Sequence, residues 1–214
     1  MSWAGTWVAA NQSLILDALG QHVELVAIAV AAGLAVSLPL GLLAWRFHRV
    51  RGLILGFTGL LYTIPSIALF VLIQPVTGYF SLTTAEVALS GYTLLILVRN
   101  LLTGLDGVGD EVHEAAVAMG YSPFQQLVRI YLPLALPALY AGLRVATVTV
   151  VGLVTITAFI GLGGLGKVIL LGFADYFYTP VVVGLVLSIL LAALGDALFA
   201  ALARVTVRWR MVRG

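Results

Sequence analysis

DGVGDEVHEAAVAMGYSPFQQLVRIYLP, residues 106–133, is the stretch on which the fold of this chain turns. Its first part is acidic, with Asp106, Asp110, Glu111 and Glu114 close together. Yet Val112, Ala115, Ala116 and Met119 recur at i, i+3, i+4 and i+7, which is one face of a helix. Asp110 suits the start of that helix, as a cap with acids in the first turn complementing the helix dipole. Gly120 suits its end, because glycine takes up the left-handed backbone of a C-terminal cap. Ser122 and Pro123 then suit the N-cap and first position of a second helix. That helix is expected to run toward Ile130 and stop near Pro133. Two short helices around a glycine turn result, with a carboxylate at Glu114 and room for close approach at Ala115 and Ala116.

The sequence on either side is of another kind. The chain has 214 residues, 62% hydrophobic and 9% charged, with a mean hydropathy of +1.12. Soluble domains are about 45–50% apolar and about 25% charged, so too few charges remain here to cover a water-facing surface. Lipid is the solvent for most of the chain. Five apolar stretches, 23–45, 53–76, 84–105, 134–160 and 181–204, reach the roughly 20 residues needed to cross a bilayer core. Gly33, Gly41, Gly56, Gly59, Gly142, Gly152 and Gly184 recur within them, and small residues let helices pack closely in lipid. There is no cysteine, so disulfides and thiolate metal sites are excluded. Residues 1–20 carry no Lys or Arg and so lack the basic region of a signal peptide. They are expected as an extracytoplasmic segment, a tail or an interfacial helix with Trp3 and Trp7 at the membrane surface.

Basic residues set the orientation. Arg46, Arg49 and Arg51 lie in the first connector, Arg129 in the third, and Arg204, Arg208, Arg210 and Arg213 at the C-terminal end, a basic tail over 205–214. Five spans put all of these on one side and only Lys167 on the other. The C-terminus is therefore expected in the cytoplasm, the N-terminus outside and the 106–133 loop inside the cell. Pro39, Pro65 and Pro75 are expected to kink the first two spans. Around Pro65, residues 62–66 are either a structural kink or part of a pathway lining. Arg99 is expected to snorkel toward the cytoplasmic surface. Arg144 and Asp196 each fall about 12–15 Å from that surface, counting 1.5 Å per residue, and are expected to pair, because charges in lipid need partners.

Two motifs fail on context. Residues 161–167 read GLGGLGK and fit the first positions of a phosphate-binding loop, but Val168 stands where Ser or Thr would hold magnesium, and no strand precedes them. His113 and Glu114 open like a zinc-protease motif, but Val117 occupies the position of its second histidine, and His22 and His48 lack ligand spacing. No polar catalytic set is visible, so a membrane-embedded enzyme is disfavoured. No internal repeat suggests a self-sufficient secondary transporter.

Glu114-Ala115-Ala116, then Gly120, then Ile130-Tyr131-Leu132-Pro133 resemble the EAA motif of binding-protein-dependent ABC importer permeases, meeting every fixed position. Val98-Arg99-Asn100, Leu132–Pro137 and Gly161–Gly166 are similar to the permeases for glycine betaine, carnitine and choline, a likeness running from about residue 20 to about 204. The resemblance implies an all-α membrane protein, about five transmembrane helices in a type I importer bundle, with the permease domain over 21–204. It implies that Glu114, Ala115, Ala116, Gly120, Ile130, Leu132 and Pro133 belong to a coupling helix docked on a cytoplasmic ATPase. It further implies alternating access, a second permease copy or paralogue, and an extracytoplasmic substrate-binding protein. ATP and magnesium would sit on the ATPase. No cofactor or metal on this chain, no catalytic residue and no nucleic-acid partner are expected. A permease for another small polar solute, such as an amino acid, is the alternative, and an ATP-independent channel or secondary transporter a remote one.

Overall fold

A computed structural model describes residues 2–207, with side chains from residue 5 onward. Arg208, Arg210 and Arg213 of the expected basic tail and the side chain of Trp3 lie outside the described residues. The described chain is helical from end to end. Helix α1 (Ser2–Ala10) meets α2 (Gln12–Arg46) at Asn11, whose side-chain amide donates to the Trp7 carbonyl at 2.9 Å. The segment before residue 21 is thus two helical pieces, and Trp7 rests edge-on against Phe177, 6.3 Å between centroids. The first span begins earlier than position 23, because α2 continues outward past the apolar run. Its 35 residues measure about 52 Å at 1.5 Å each, well beyond a hydrocarbon core of about 30 Å.

The expected second span is not one helix. Helix α3 (His48–Thr63) and α4 (Ser66–Thr77) meet at an angle of 106°. Pro65 causes the break: it lacks an N–H and forces the preceding Ile64 out of helical backbone, to ψ 129°. The Tyr92 hydroxyl, donating at 2.5 Å, captures the freed Ile64 carbonyl. Without such a partner a bare carbonyl in lipid would be costly. The bent pair still runs from one end of the bundle to the other. Ile54 and Leu55 of α3 pack beside Ala44, Val98 and Leu102, and Arg51 pairs with Asp106 at 2.7 Å. At the far end Thr77 of α4 hydrogen-bonds Thr84 at 2.6 Å.

Helix α5 (Leu82–Asp106) is the centre of the bundle. It packs chiefly on α2 and on α8 (Leu132–Thr157). Leu25, Ala29, Phe70, Leu89, Leu97 and Val150 form the heart of the core. Close approach is enforced at Gly33, where a Cβ would stand 1.7 Å from the Thr93 hydroxyl and 3.0 Å from its Cβ. Gly41, Gly142 and Gly184 also face close neighbours, whereas Gly56, Gly59 and Gly152 look onto open space. The small residues therefore divide between contacts within the chain and faces left free. Helix α9 (Gly166–Ala174) precedes α10 (Tyr178–Thr206), whose flanks are largely exposed. Thus α2, α5 and α10, and α8 with the turns that lead into it, are each long and apolar enough to cross a membrane unbroken, and α3 with α4, taken as one bent span, makes a fifth. Four of the five expected stretches match single helices to within a few residues apart from the early start of α2.

Candidate docking loop and intramembrane ion pair

Between α5 and α8 the chain folds as α6 (Asp110–Ala118), α7 (Pro123–Gln126) and a π-helical turn, Leu127–Tyr131. Gly109, not Asp110, is the N-cap; its carbonyl accepts from the N–H groups of Val112 and His113 at 3.1 and 3.4 Å. Asp110 and Glu111 are instead the first-turn acids, still favourable to the dipole. Gly120 ends the helix at φ 74°. The Tyr121 N–H reaches the Ala116 carbonyl at 3.1 Å and the Gly120 N–H that of Val117 at 2.9 Å, the two bonds of a Schellman cap. Ser122 and Gln125 close a reciprocal capping box at the start of α7, with Pro123 at its head. The Gln126 amide donates to the Tyr121 carbonyl at 2.9 Å, so the turn between the helices is locked from both sides.

The second helix does not stop at Pro133. The π-turn absorbs the missing donor: the Leu132 N–H reaches back five residues to Leu127, and α8 continues through Pro133 and Pro137. Bulges of this kind mark functional sites often.

The loop presents an unsatisfied surface. Glu114, Ala115 and Gly120 are exposed, and Ile130, Leu132 and Pro133 half-buried. Of the face formed by Val112, Ala115, Ala116 and Met119, only Ala116 is buried; Met119 is 65% exposed and Phe124 of α7 74%. Glu114 has no ion-pair partner among the described residues.

Arg144 of α8 and Asp196 of α10 meet as a bidentate pair. Arg144 Nε donates to Oδ1 at 2.7 Å and Nη2 to Oδ2 at 2.8 Å. Both side chains remain over one-third exposed at the surface of the helices. Arg99, by contrast, is exposed with no ion pair among the described residues.

At the opposite end lies a site that the sequence reading missed. The Leu165 N–H donates to Nδ1 of His22 at 3.2 Å, which leaves Nε2 as the protonated nitrogen, donating to the Val151 carbonyl at 3.1 Å. Gln21 Oε1 accepts from the Gly164 N–H at 3.3 Å, and the Gly163 carbonyl accepts from Thr157 at 3.1 Å. The glycine-rich segment 161–166 thus spends the N–H groups of Gly164 and Leu165 on α2 and those of Gly161 and Leu162 on Ala158 and Thr157. His22 is fully buried, and the only signal was a histidine at the edge of an apolar run. Replacing His22 with leucine strands one buried donor and one buried acceptor, each costing about 1–3 kcal/mol. A thermal melt in detergent is expected to drop by several degrees; an unchanged melt would deny the latch.

The candidate spans thus leave one helical loop uncovered at one end of the bundle. The chain belongs to the family of binding-protein-dependent transport system inner membrane components, whose model matches residues 33–208. It is 33% identical over 195 residues to the glycine betaine/carnitine/choline permease OpuCB of Bacillus subtilis, covering 91% of this chain and 89% of that one. It is 37% identical over 190 residues to the osmoprotectant import permease OsmW of Salmonella typhimurium, covering 87% and 88%. Among solved structures, the MetNI methionine ABC transporter in an inward-facing conformation superposes with a TM-score of 0.74 at 24% identity, over 90% of this chain and 97% of that one. An amino acid ABC transporter reaches 0.78 at 16%, over 93% and 97%. The fold is that of ABC importer permeases.

Proposed function

We propose that this permease imports small quaternary-ammonium solutes of the glycine betaine and choline kind, driven by a separate cytoplasmic ATPase. The rigid loop 106–133 carries the coupling part of this reading. Its exposed Glu114, Ala115 and Met119 fit a groove on an ATPase subunit, with ATP and magnesium held there. No step of hydrolysis falls to this chain. ATP binding draws two docked loops together and opens the bundle outward; hydrolysis resets it.

Relatives support the cargo. Their names specify glycine betaine, carnitine and choline. A further relative, the ergothioneine permease/binding protein EgtU of Helicobacter pylori, is 37% identical over 163 residues, 76% of this chain and 29% of that one. All four solutes share a trimethylammonium group, which aromatic cages recognise; that cage belongs to the extracytoplasmic binding protein. A groove of about 470 Å³ between α2, α8 and α10, with walls such as Val30, Leu143 and Leu194, is too apolar to cradle a polar solute. The amino-acid alternative has only fold likeness behind it.

With the bent pair as a span, five crossings and the bias of basic residues support an N-terminus outside and a C-terminus and docking loop in the cytoplasm of a bacterial cell. A second permease, identical or related, completes the pathway, and the open glycine face of α3 at Gly52, Gly56 and Gly59 suits close helix packing. The test is uptake of radiolabelled glycine betaine and choline by cells lacking their own importers and carrying this chain with its ATPase and binding protein. Saturable uptake that vanishes without the ATPase is expected. Uptake without the ATPase would overturn the reading.

A further inference from the structure

Helix α6 has only marginal packing against the membrane helices, yet a docked loop must push on them. Besides the covalent path through α7, one side-chain path leads back. The Tyr131 hydroxyl lies 3.0 Å from Nδ1 of His113 on α6. The Tyr131 ring lies against Trp45, 4.8 Å between centroids, at the end of α2. Tyr131 closes the π-turn that leads into α8, and both aromatics pack against Leu101, Leu105 and Ala135. A single side chain thus touches the docking helix, the end of α2 and the foot of α8.

We propose that Tyr131, held by His113 and braced on Trp45, is a positioning residue that transmits movement of the docking helix to α2. This rests on the coupling role proposed for the loop. A cleft of about 740 Å³ beside the contact, bounded by Leu43, Phe47, Val117 and Phe124, separates α6 from the end of α2 on that side. Without a tie across that cleft, α6 moves and α2 does not follow. The π-turn lies at the joint itself, at the head of α8, and such bulges are frequent at functional sites. The contact is exposed to solvent, so its loss weakens coupling and does not unfold the bundle; one such hydrogen bond corresponds to about a fivefold effect.

The experiment uses the complete transporter, with its ATPase and binding protein, in proteoliposomes supplied with radiolabelled glycine betaine. Uptake per ATP hydrolysed is compared for the unaltered chain, Tyr131→Phe, His113→Ala and the double variant. Each single variant is expected to lower the ratio about fivefold, the double variant no further than either, with ATPase co-purification unchanged. His113→Gln, which keeps a donor and an acceptor, is expected to recover much of the ratio. An unchanged ratio in Tyr131→Phe, or single effects that multiply in the double variant, overturns the proposal and leaves the functional reading standing. Absence of ATP-driven uptake by the unaltered transporter overturns both.

Discussion

Replacing Gly120 with valine should remove most ATP-driven uptake while leaving the chain in the membrane at its normal level. Gly120 sits at φ 74°, and a side chain there costs about 1–2 kcal/mol for an L-residue, most when β-branched. A Cβ would meet nothing within 4 Å, so the damage is to backbone conformation, not packing. A cost of 1.4 kcal/mol is a tenfold change, and the displaced α6 would also present Glu114 and Ala115 at the wrong angle. Gly120→Asn is the control, since asparagine tolerates the left-handed cap and should retain much activity. Aspartate adds a charge at the docking face and is expected to abolish uptake. Ala115→Trp should act as strongly, because Ala115 is exposed and the added ring would face the partner. Ala116 is a poorer probe: it is fully buried, so enlarging it injures the chain itself. Uptake, measured beside the amount of chain in the membrane, checks the series; full uptake by Gly120→Val would refute it.

Neutralising either Arg144 or Asp196 alone should lower the amount of folded chain several-fold, and neutralising both should restore it. The two side chains satisfy each other through two hydrogen bonds of 2.7 and 2.8 Å. A charge left alone in lipid is costly, and breaking a pair harms more than replacing it with apolar residues. Arg144→Leu and Asp196→Leu are therefore each expected to be poorly assembled, and the double variant well assembled. The exchange Arg144→Asp with Asp196→Arg should recover much of the loss. Uptake by the well-assembled double variant then separates a structural bridge from a gate: activity near normal means a bridge. If the double variant is as poorly assembled as the single ones, the pair is not what holds α8 to α10.

Much of this architecture was legible in the sequence because local chemistry and the lipid constraint agree. Ser122, Pro123 and Gly120 act where their backbone preferences put them, and the ends of α5, α8 and α10 fall close to the ends of their apolar runs. Equal depth of Arg144 and Asp196 followed from the rise of a helix. What was hidden depends on distant partners. The sharp break at Pro65 is tolerable because Tyr92, 28 positions later, takes the Ile64 carbonyl. The early start of α2 reflects docking of His22 and Gln21 onto the glycine-rich segment, 143 positions away. The helix running through Pro133 depends on a π-turn that periodicity does not reveal. Asp110 failed as a cap because Gly109 can supply an extended backbone and a carbonyl without a side chain. In the loop, the motif showed neither that Ile130 falls in the π-turn and Leu132 and Pro133 in α8, apart from Glu114, Ala115 and Ala116 on α6, nor the difference in burial between Ala115 and Ala116.

Docking of residues 106–133 on an ATPase inside the cell, as proposed, is tested most directly by crosslinking. The chain has no cysteine, so a single cysteine at Ala115 carries a photo-activated crosslinker without background. A crosslink from position 115 to the ATPase subunit is expected in native membranes, and none from a cysteine at Lys167. No crosslink from position 115, or an equal one from Lys167, would contradict it.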